Sequence, residues 1–283
     1  MVTMIRRVRG YLKYREQCRN KDAHHLQSEG WALAKGVFSP GEVTELKKEI
    51  NEVFKNTPSD ERGPNPKAWD MFRYAMLNHS AACQKAVAKP GILKILEPLL
   101  GEDCHVIANT AWRNPPSSTG LHGGDAWHID AGPHIPLGPE MEWPQDIPHP
   151  VFAVGIHIYL KACRLQDGPT GVIPGSHLSG RTPPAKQVFD EDLTYNDVGV
   201  QPIIAKPGDV GFFVSDIWHR RMPTRPGDRG RFFLQVHYGR RDIAQRLLTT
   251  DEVNHLSDEA ILRARSKRAK TIAGLHGRLF YDG

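Results

Sequence analysis

Four runs of β-branched and aromatic residues, separated by Gly-, Pro- and Asp-rich turns, constrain this chain more than any other feature. They are CHVIANTAW (104–112), VFAVGIHIYLKAC (151–163), VGFFVSDIWH (210–219) and RFFLQVHYG (231–239), and the turn sequences QDGPTG, KPGD and RPGD lie between them. The runs are far apart, and helical periodicity is weak between them until about residue 241. An antiparallel sandwich or barrel is therefore expected rather than alternating βαβ units.

Ahead of the runs the pattern changes to helix. In EGWALAKGVFSPGEVTELKKEINEVF a short strand over 31–36 leads into a helix with a specified start: Ser39 caps, Pro40 suits the first helical position, and Glu42 closes a capping box. Val43, Leu46, Ile50 and Val53 recur at i, i+3, i+7 and i+10, which lines one face with apolar side chains. A second amphipathic helix follows Pro90, carrying Ile92, Leu93, Ile95 and Leu96, and ends near Gly101. Both need a sheet to cover. No internal repeat or low-complexity linker marks a boundary. The reading is one domain over 1–283, with a mostly helical front end (1–100), a β core (101–240) and a C-terminal helical segment (241–283).

A chain of 283 residues can bury a substantial core without cross-links. Its four cysteines are scattered and form no C-x-x-C pair, so no zinc knuckle or disulfide framework is indicated, and a reducing, cytoplasmic setting fits. No apolar run approaches the roughly 18 residues that cross a bilayer, and no membrane association is expected. The net charge of +5 (37 basic, 32 acidic) is too dispersed for a nucleic-acid footprint, and aromatic stacking platforms are not interleaved with the arginines. The basic start MIRRVRGYLKYR reads as a solvated helix: it lacks the serines of a transit peptide and the apolar core of a secretory signal.

The chemistry centres on WHIDAGPH (127–134). On a strand, residues i and i+2 share a face, so His128 and Asp130 would project an imidazole and a carboxylate side by side. In a chain with 14 histidines such a triplet also arises by accident, as two polar residues alternating at a strand end. His219 closes the apolar run after KPGD, and two histidines with one carboxylate can form the facial triad that holds Fe(II) and leaves coordination positions open. A zinc hydrolase more often shows H-E-x-x-H or three histidines. Arg231, opening the next run, offers a bidentate fork to a carboxylate, or else is a surface arginine on a basic loop.

Taken together, His128-Ile129-Asp130, DGPTGVIPGSH (167–177), GDVGFF with His219, and Arg231 resemble the phytanoyl-CoA dioxygenase family of Fe(II)/2-oxoglutarate-dependent oxygenases. EGWALAKGVFSPGEVTELKKEI and KPGILKILEPLLGED are similar to that family's N-terminal segments. The resemblance implies a mainly β fold with α, a double-stranded β-helix or jelly roll with helices on its outer face. It implies His128, Asp130 and His219 as iron ligands. Arg231 matches the arginine that pairs with the distal carboxylate of 2-oxoglutarate, with Arg229 a neighbouring candidate, and Thr170 matches a hydroxyl donor to that cosubstrate. Fe(II), 2-oxoglutarate and O2 are the implied cofactor and cosubstrates. The reaction implied is oxidation of a C–H bond, most simply hydroxylation, with release of succinate and CO2. Two departures stand out: Asp167-Gly168 replaces the family's frequent Asn-Gly, and the arginine-rich RRMPTRPGD replaces a small polar step between the distal histidine and arginine.

The substrate is expected to be a small organic molecule with an apolar body. Trp127, Trp143 and Trp218 are candidates for an apolar wall, His157 for a mid-strand residue facing the cavity, and Arg220, Arg221 and Arg225 for attraction of an anionic group near the entrance. The Pro-rich stretch 132–150 is expected to lie over the mouth. His122, His134 and His237 read as satisfied neighbours of the site, and the PGSH turn as structural. The competing reading is a jelly roll that binds a metal or small ligand without turning it over.

Overall fold

A computed structural model of the chain describes residues 20–57, 71–116, 124–144, 146–242 and 256–275. In chain order the elements are α1 (Lys21–Glu29), β1 (Trp31–Ala34), α2 (Pro40–Asn56), β2 (Phe72–Tyr74), α3 (Met76–His79), α4 (Ala81–Ala86), α5 (Pro90–Leu100), β3 (His105–Asn114), β4 (Ala153–Tyr159), β5 (Thr170–Val172), β6 (Gln201–Pro202), β7 (Val210–Val214), β8 (His219–Arg221), β9 (Arg231–Gly239), α6 (Asp258–Arg263) and α7 (Lys267–Ile272).

The strands form two antiparallel sheets, a large one ordered β1-β7-β4-β9-β3-β2 and a small one ordered β6-β5-β8. A bridge between His128 and His219 adds the HID segment beside β8. This is the double-stranded β-helix. Buried residues of β3, β4, β7 and β9 join Leu26 of α1, Leu46 and Ile50 of α2, and Ile92, Ile95 and Leu96 of α5 in one apolar core, so the helices cover the outer face of the large sheet. Burial of that face is what makes these short helices stable. The start of α2 follows the capping-box expectation: the Glu42 amide donates to Ser39 Oγ at 3.3 Å and the Ser39 amide to Glu42 Oε2 at 2.9 Å.

Three features differ from the sequence reading. The front end carries, besides the strand expected over 31–36, a second and unexpected one: β1 pairs with β7 and β2 with β3, closing both edges of the large sheet. VGFFVSDIWH is not one strand. It breaks after Val214 at a turn where the Ile217 amide donates to the Val214 carbonyl at 3.1 Å, and the chain crosses from the large sheet to the small one. His219 therefore opens β8 instead of closing a strand. Third, α1 is a nine-residue helix capped by Asn20, whose Oδ1 accepts from the amides of Asp22 and Ala23. The basic N-terminal run and most of the segment after residue 242 lie outside the described residues. Cys83, Cys104 and Cys163 are buried and unbridged. Among the described residues no helix is long and apolar enough to cross a membrane.

Candidate active site

The register of the small sheet builds the site. His128 and His219 form a hydrogen-bonded antiparallel pair, each amide donating to the other's carbonyl at 3.0 Å, which brings their rings to 4.3 Å. Asp130 follows two residues on, with its amide donating to the Ser215 carbonyl at 3.1 Å. One ligand-type atom from each of His128, Asp130 and His219 lies within 4.8 Å of the others.

Both rings are held by the same local device. His128 Nδ1 is 2.7 Å from the Ala126 carbonyl and His219 Nδ1 is 3.0 Å from the Ile217 carbonyl, in each case two residues back. A carbonyl only accepts, so Nδ1 carries the proton and Nε2 keeps a lone pair facing the cluster. Burial, and then the neighbouring His219, lower the His128 pKa and keep it neutral. Burial alone would lower His219 too, but Asp130, 3.5 Å from its Nε2, outweighs that and raises it. Burial would raise the Asp130 carboxyl, yet His219 and His237 together hold it well below the usual carboxylate range. Asp130 Oδ2 is a buried oxygen without a hydrogen bond. Two imidazole lone pairs and an ionised carboxylate with an unsatisfied oxygen suit a borderline divalent metal such as Fe(II).

A cavity of about 320 Å³ opens over this cluster. Asp130 is the one acid among the described residues that line it, against three arginines: Arg220, Arg221 and Arg231. Arg231 is 8% exposed. Its Nε donates to Asn114 Oδ1 at 3.2 Å and its guanidinium carbon lies 5.2 Å above the Phe233 ring. Thr170 Oγ1 is 3.4 Å from His157 Nδ1, both buried, and His157 packs against Phe233 and Phe213 at 4.3 and 5.2 Å. Burial, followed by the charge of Arg231, pushes the His157 pKa well below its ordinary value. So His157, Thr170 and Arg231 face the same cavity as the cluster. The opposite wall is aromatic: Phe72 contacts Tyr74 at 4.9 Å and Trp112 at 5.1 Å.

Trp127 and Trp218 do not line the cavity. They pack with Ile173 and Leu193 in a separate cluster, with Nε1 donating to the Asp190 and Arg181 carbonyls at 2.5 and 2.7 Å. The cause is the two-residue period of a strand: if His128, Asp130 and His219 face inward, Trp127 and Trp218 face outward. Trp143 hydrogen-bonds the Ile147 carbonyl from a half-buried position in the Pro-rich loop, no described residue of which lines the cavity. The loop is pinned aside, with the Leu137 amide donating to the Gly180 carbonyl and His134 Nδ1 lying 2.8 Å from Asp216 Oδ1. Arg220 is in the lining, with its guanidinium carbon 5.6 Å over the Trp127 ring, and Arg225 is absent from the lining. PGSH is structural, with His177 Nε2 donating to the Gln27 carbonyl of α1 at 3.0 Å. His122 lies outside the described residues.

Sequence reasoning missed Phe72, Tyr74, Trp112 and Gln235. Alternation on β9 from Arg231 through Phe233, Gln235 and His237 is the signal that was there to read. Gln235 Oε1 accepts from Trp112 Nε1 at 2.6 Å, Gln235 Nε2 is 2.9 Å from His237 Nε2, and His237 Nδ1 is 3.7 Å from Asp130 Oδ2.

The phytanoyl-CoA dioxygenase (PhyH) family matches the chain over residues 26–225, which takes in β1 through β8 and the HID segment. The chain belongs to this family. PhyH membership makes it a non-heme iron enzyme that uses 2-oxoglutarate and O2. Solved structures share the PhyH fold at low identity. The epimerase SnoN in complex with Fe3+, alpha ketoglutarate and nogalamycin RO is 16% identical, with a TM-score of 0.62 over 84% of this chain and 90% of that one. The carbocyclase SnoK from nogalamycin biosynthesis is 18% identical, with a TM-score of 0.58 over 86% and 90%. HygX from Streptomyces hygroscopicus, with nickel and 2-oxoglutarate bound, is 17% identical, with a TM-score of 0.57 over 80% and 88%. No curated protein matches the chain in sequence.

Proposed function

We propose that this PhyH-family enzyme hydroxylates a C–H bond of a small organic molecule, with His128, Asp130 and His219 holding Fe(II) and Arg231 and Thr170 holding 2-oxoglutarate. The observation that carries the reading is that three donor atoms within 4.8 Å of one another share one cavity with a buried guanidinium. When bound, iron and 2-oxoglutarate supply the oxidising power by decarboxylating the oxo acid to succinate with O2. The chain's own residues bind and orient. His128 and His219 present Nε2 because their Nδ1 protons are committed to carbonyls, and Asp130 stays ionised between His219 and His237. Arg231, held by Asn114 and Phe233, keeps its remaining donors for a carboxylate. The aromatic wall of Phe72, Tyr74 and Trp112 suits the apolar, planar face of a substrate and excludes water from the site.

The test is anaerobic loading with Fe(II) and 2-oxoglutarate, followed by O2 and a panel of small molecules scored by succinate release, with product oxygen traced from 18O2. A visible charge-transfer band, oxygen-dependent succinate and a labelled hydroxyl are expected, and His128→Ala should abolish all three. Absence of both band and succinate would sink the enzymatic reading in favour of passive binding. A turned-over substrate with no label would replace hydroxylation by another oxidation, of the kind named for SnoN or SnoK.

A further inference from the structure

Arg221 has no part in the proposed chemistry, yet it is one of the most deeply buried cations among the described residues. It follows His219 by two residues on β8, so strand alternation turns both side chains to the same face, and it is 5% exposed in the wall of the cavity. Across the sheet its register partner is Thr170. Two residues before Thr170, a Cβ on Gly168 would come within 3.3 Å of Arg221 Nε and 2.8 Å of the Met222 carbonyl, so the missing side chain leaves the guanidinium its room. Gly168 also has φ 65°, a left-handed value that favours glycine. Arg221, Thr170 and Arg231 thus line one cavity. Arg231 is the charge that acts on it most strongly, and Asp228 acts on both arginines. Asp167, close in sequence to Thr170, is committed to Arg164 and to the Arg229 amide. Two buried guanidiniums in the wall of one cavity repel, and an anion received between them lowers that cost.

We propose that Arg221 and Arg231 together form a two-guanidinium pocket for the distal carboxylate of the 2-oxo acid cosubstrate, making the site selective for a dicarboxylate. The inference rests on the assignment of Arg231 and Thr170 to that cosubstrate. A carboxylate has lone pairs for two forks, so each arginine contributes charge-assisted hydrogen bonds that the other does not duplicate. The arginine-rich departure between His219 and Arg231 then has a function at the cosubstrate end of the cavity.

The experiment measures dissociation constants on the full chain: 2-oxoglutarate by the visible band of the anaerobic Fe(II) protein and by calorimetry with Mn(II), and pyruvate, which lacks the distal carboxylate, by calorimetry. Arg221→Met and Arg221→Gln are each expected to weaken 2-oxoglutarate about 10- to 100-fold, in line with loss of charge-assisted hydrogen bonds. Pyruvate should be unchanged, and Arg221→Lys should recover part of the loss. In the unsubstituted protein, replacing the distal carboxylate by its amide, 2-oxoglutaramate, should cost more than about 100-fold. Should Arg221→Met bind 2-oxoglutarate within twofold of the parent while Arg231→Met binds it weakly, Arg221 is outside the pocket and the Arg231 reading stands. If both variants bind normally, both assignments fail. Equal loss of pyruvate and 2-oxoglutarate in the Arg221 variants, or an amide penalty below tenfold, also overturns the proposal.

Discussion

At the scale of single residues, an imidazole becomes a metal donor when its other nitrogen is already committed. His128 and His219 meet this condition through carbonyls two residues back, Ala126 and Ile217, a backbone device that needs no second side chain. Asp130 differs, because its oxygens are answered by histidines on other elements, His219 on β8 and His237 on β9. The flanking tryptophans serve the opposite face. Trp218→Phe is expected to leave Fe(II) and 2-oxoglutarate affinities unchanged while losing the hydrogen bond to the Arg181 carbonyl, at a cost of about 1 kcal/mol in urea unfolding. A weakened cosubstrate affinity in that variant would return Trp218 to the pocket.

At the scale of elements, the small sheet supplies the cluster and the large sheet supports it from behind. Gly155 of β4 lies opposite Phe213 of β7 in one direction and His237 of β9 in the other. A Cβ there would meet the Phe213 ring at 2.6 Å and His237 Cε1 at 3.2 Å. The glycine lets the Phe213 ring lie flat across β4, where it contacts His157 at 5.2 Å and His219 at 4.9 Å. Gly155→Ala should therefore cost about 1–3 kcal/mol by overpacking. It should also weaken Fe(II) binding, because the displaced ring and His237 both press on the cluster, and metal titration of the variant reads this directly. Unchanged iron affinity would mean that the large sheet absorbs the added methyl without passing it on.

At the scale of the whole molecule, His177 joins α1 to the β core, donating to the Gln27 carbonyl, while the Gly175 amide donates to the Glu29 carbonyl at 3.0 Å. Burial lowers the His177 pKa to about 4, and the nearby His149 and Asp216 act in opposite directions on it. The folded pKa lies below that of an unfolded histidine, about 6.5. As pH falls through 6.5 the unfolded chain takes up a proton that the folded chain refuses until about pH 4. The contribution to stability is thus fully present above pH 6.5 and declines between 6.5 and 4, with a slope of up to about 1.4 kcal/mol per pH unit. Denaturant unfolding across this window should show the decline, and His177→Gln should flatten it. An equally steep decline in the variant would assign it to other groups, with His149, also lowered by burial, the first to examine.

Much of this protein is local and therefore legible in sequence. The capping box at Ser39, the apolar stripe of α2, the strand β9 and the H-x-D spacing follow from propensities and periods that neighbours in sequence impose. The PhyH resemblance extended that reading to His219, Arg231 and Thr170, which the fold brings into one cavity. What the sequence left open depends on which sheet a strand joins. The break after Val214 sends His219 and Arg221 to the small sheet, and the three-residue strand β2, too short for any period to reveal, brings Phe72 and Tyr74 to the wall. Trp127 and Trp218 look like pocket residues beside the cluster, but a two-residue period allows only one of two neighbours to face inward. Adjacency in sequence set His128 beside Asp130, and long-range pairing brought His219 to them and decided which other side chains share their cavity.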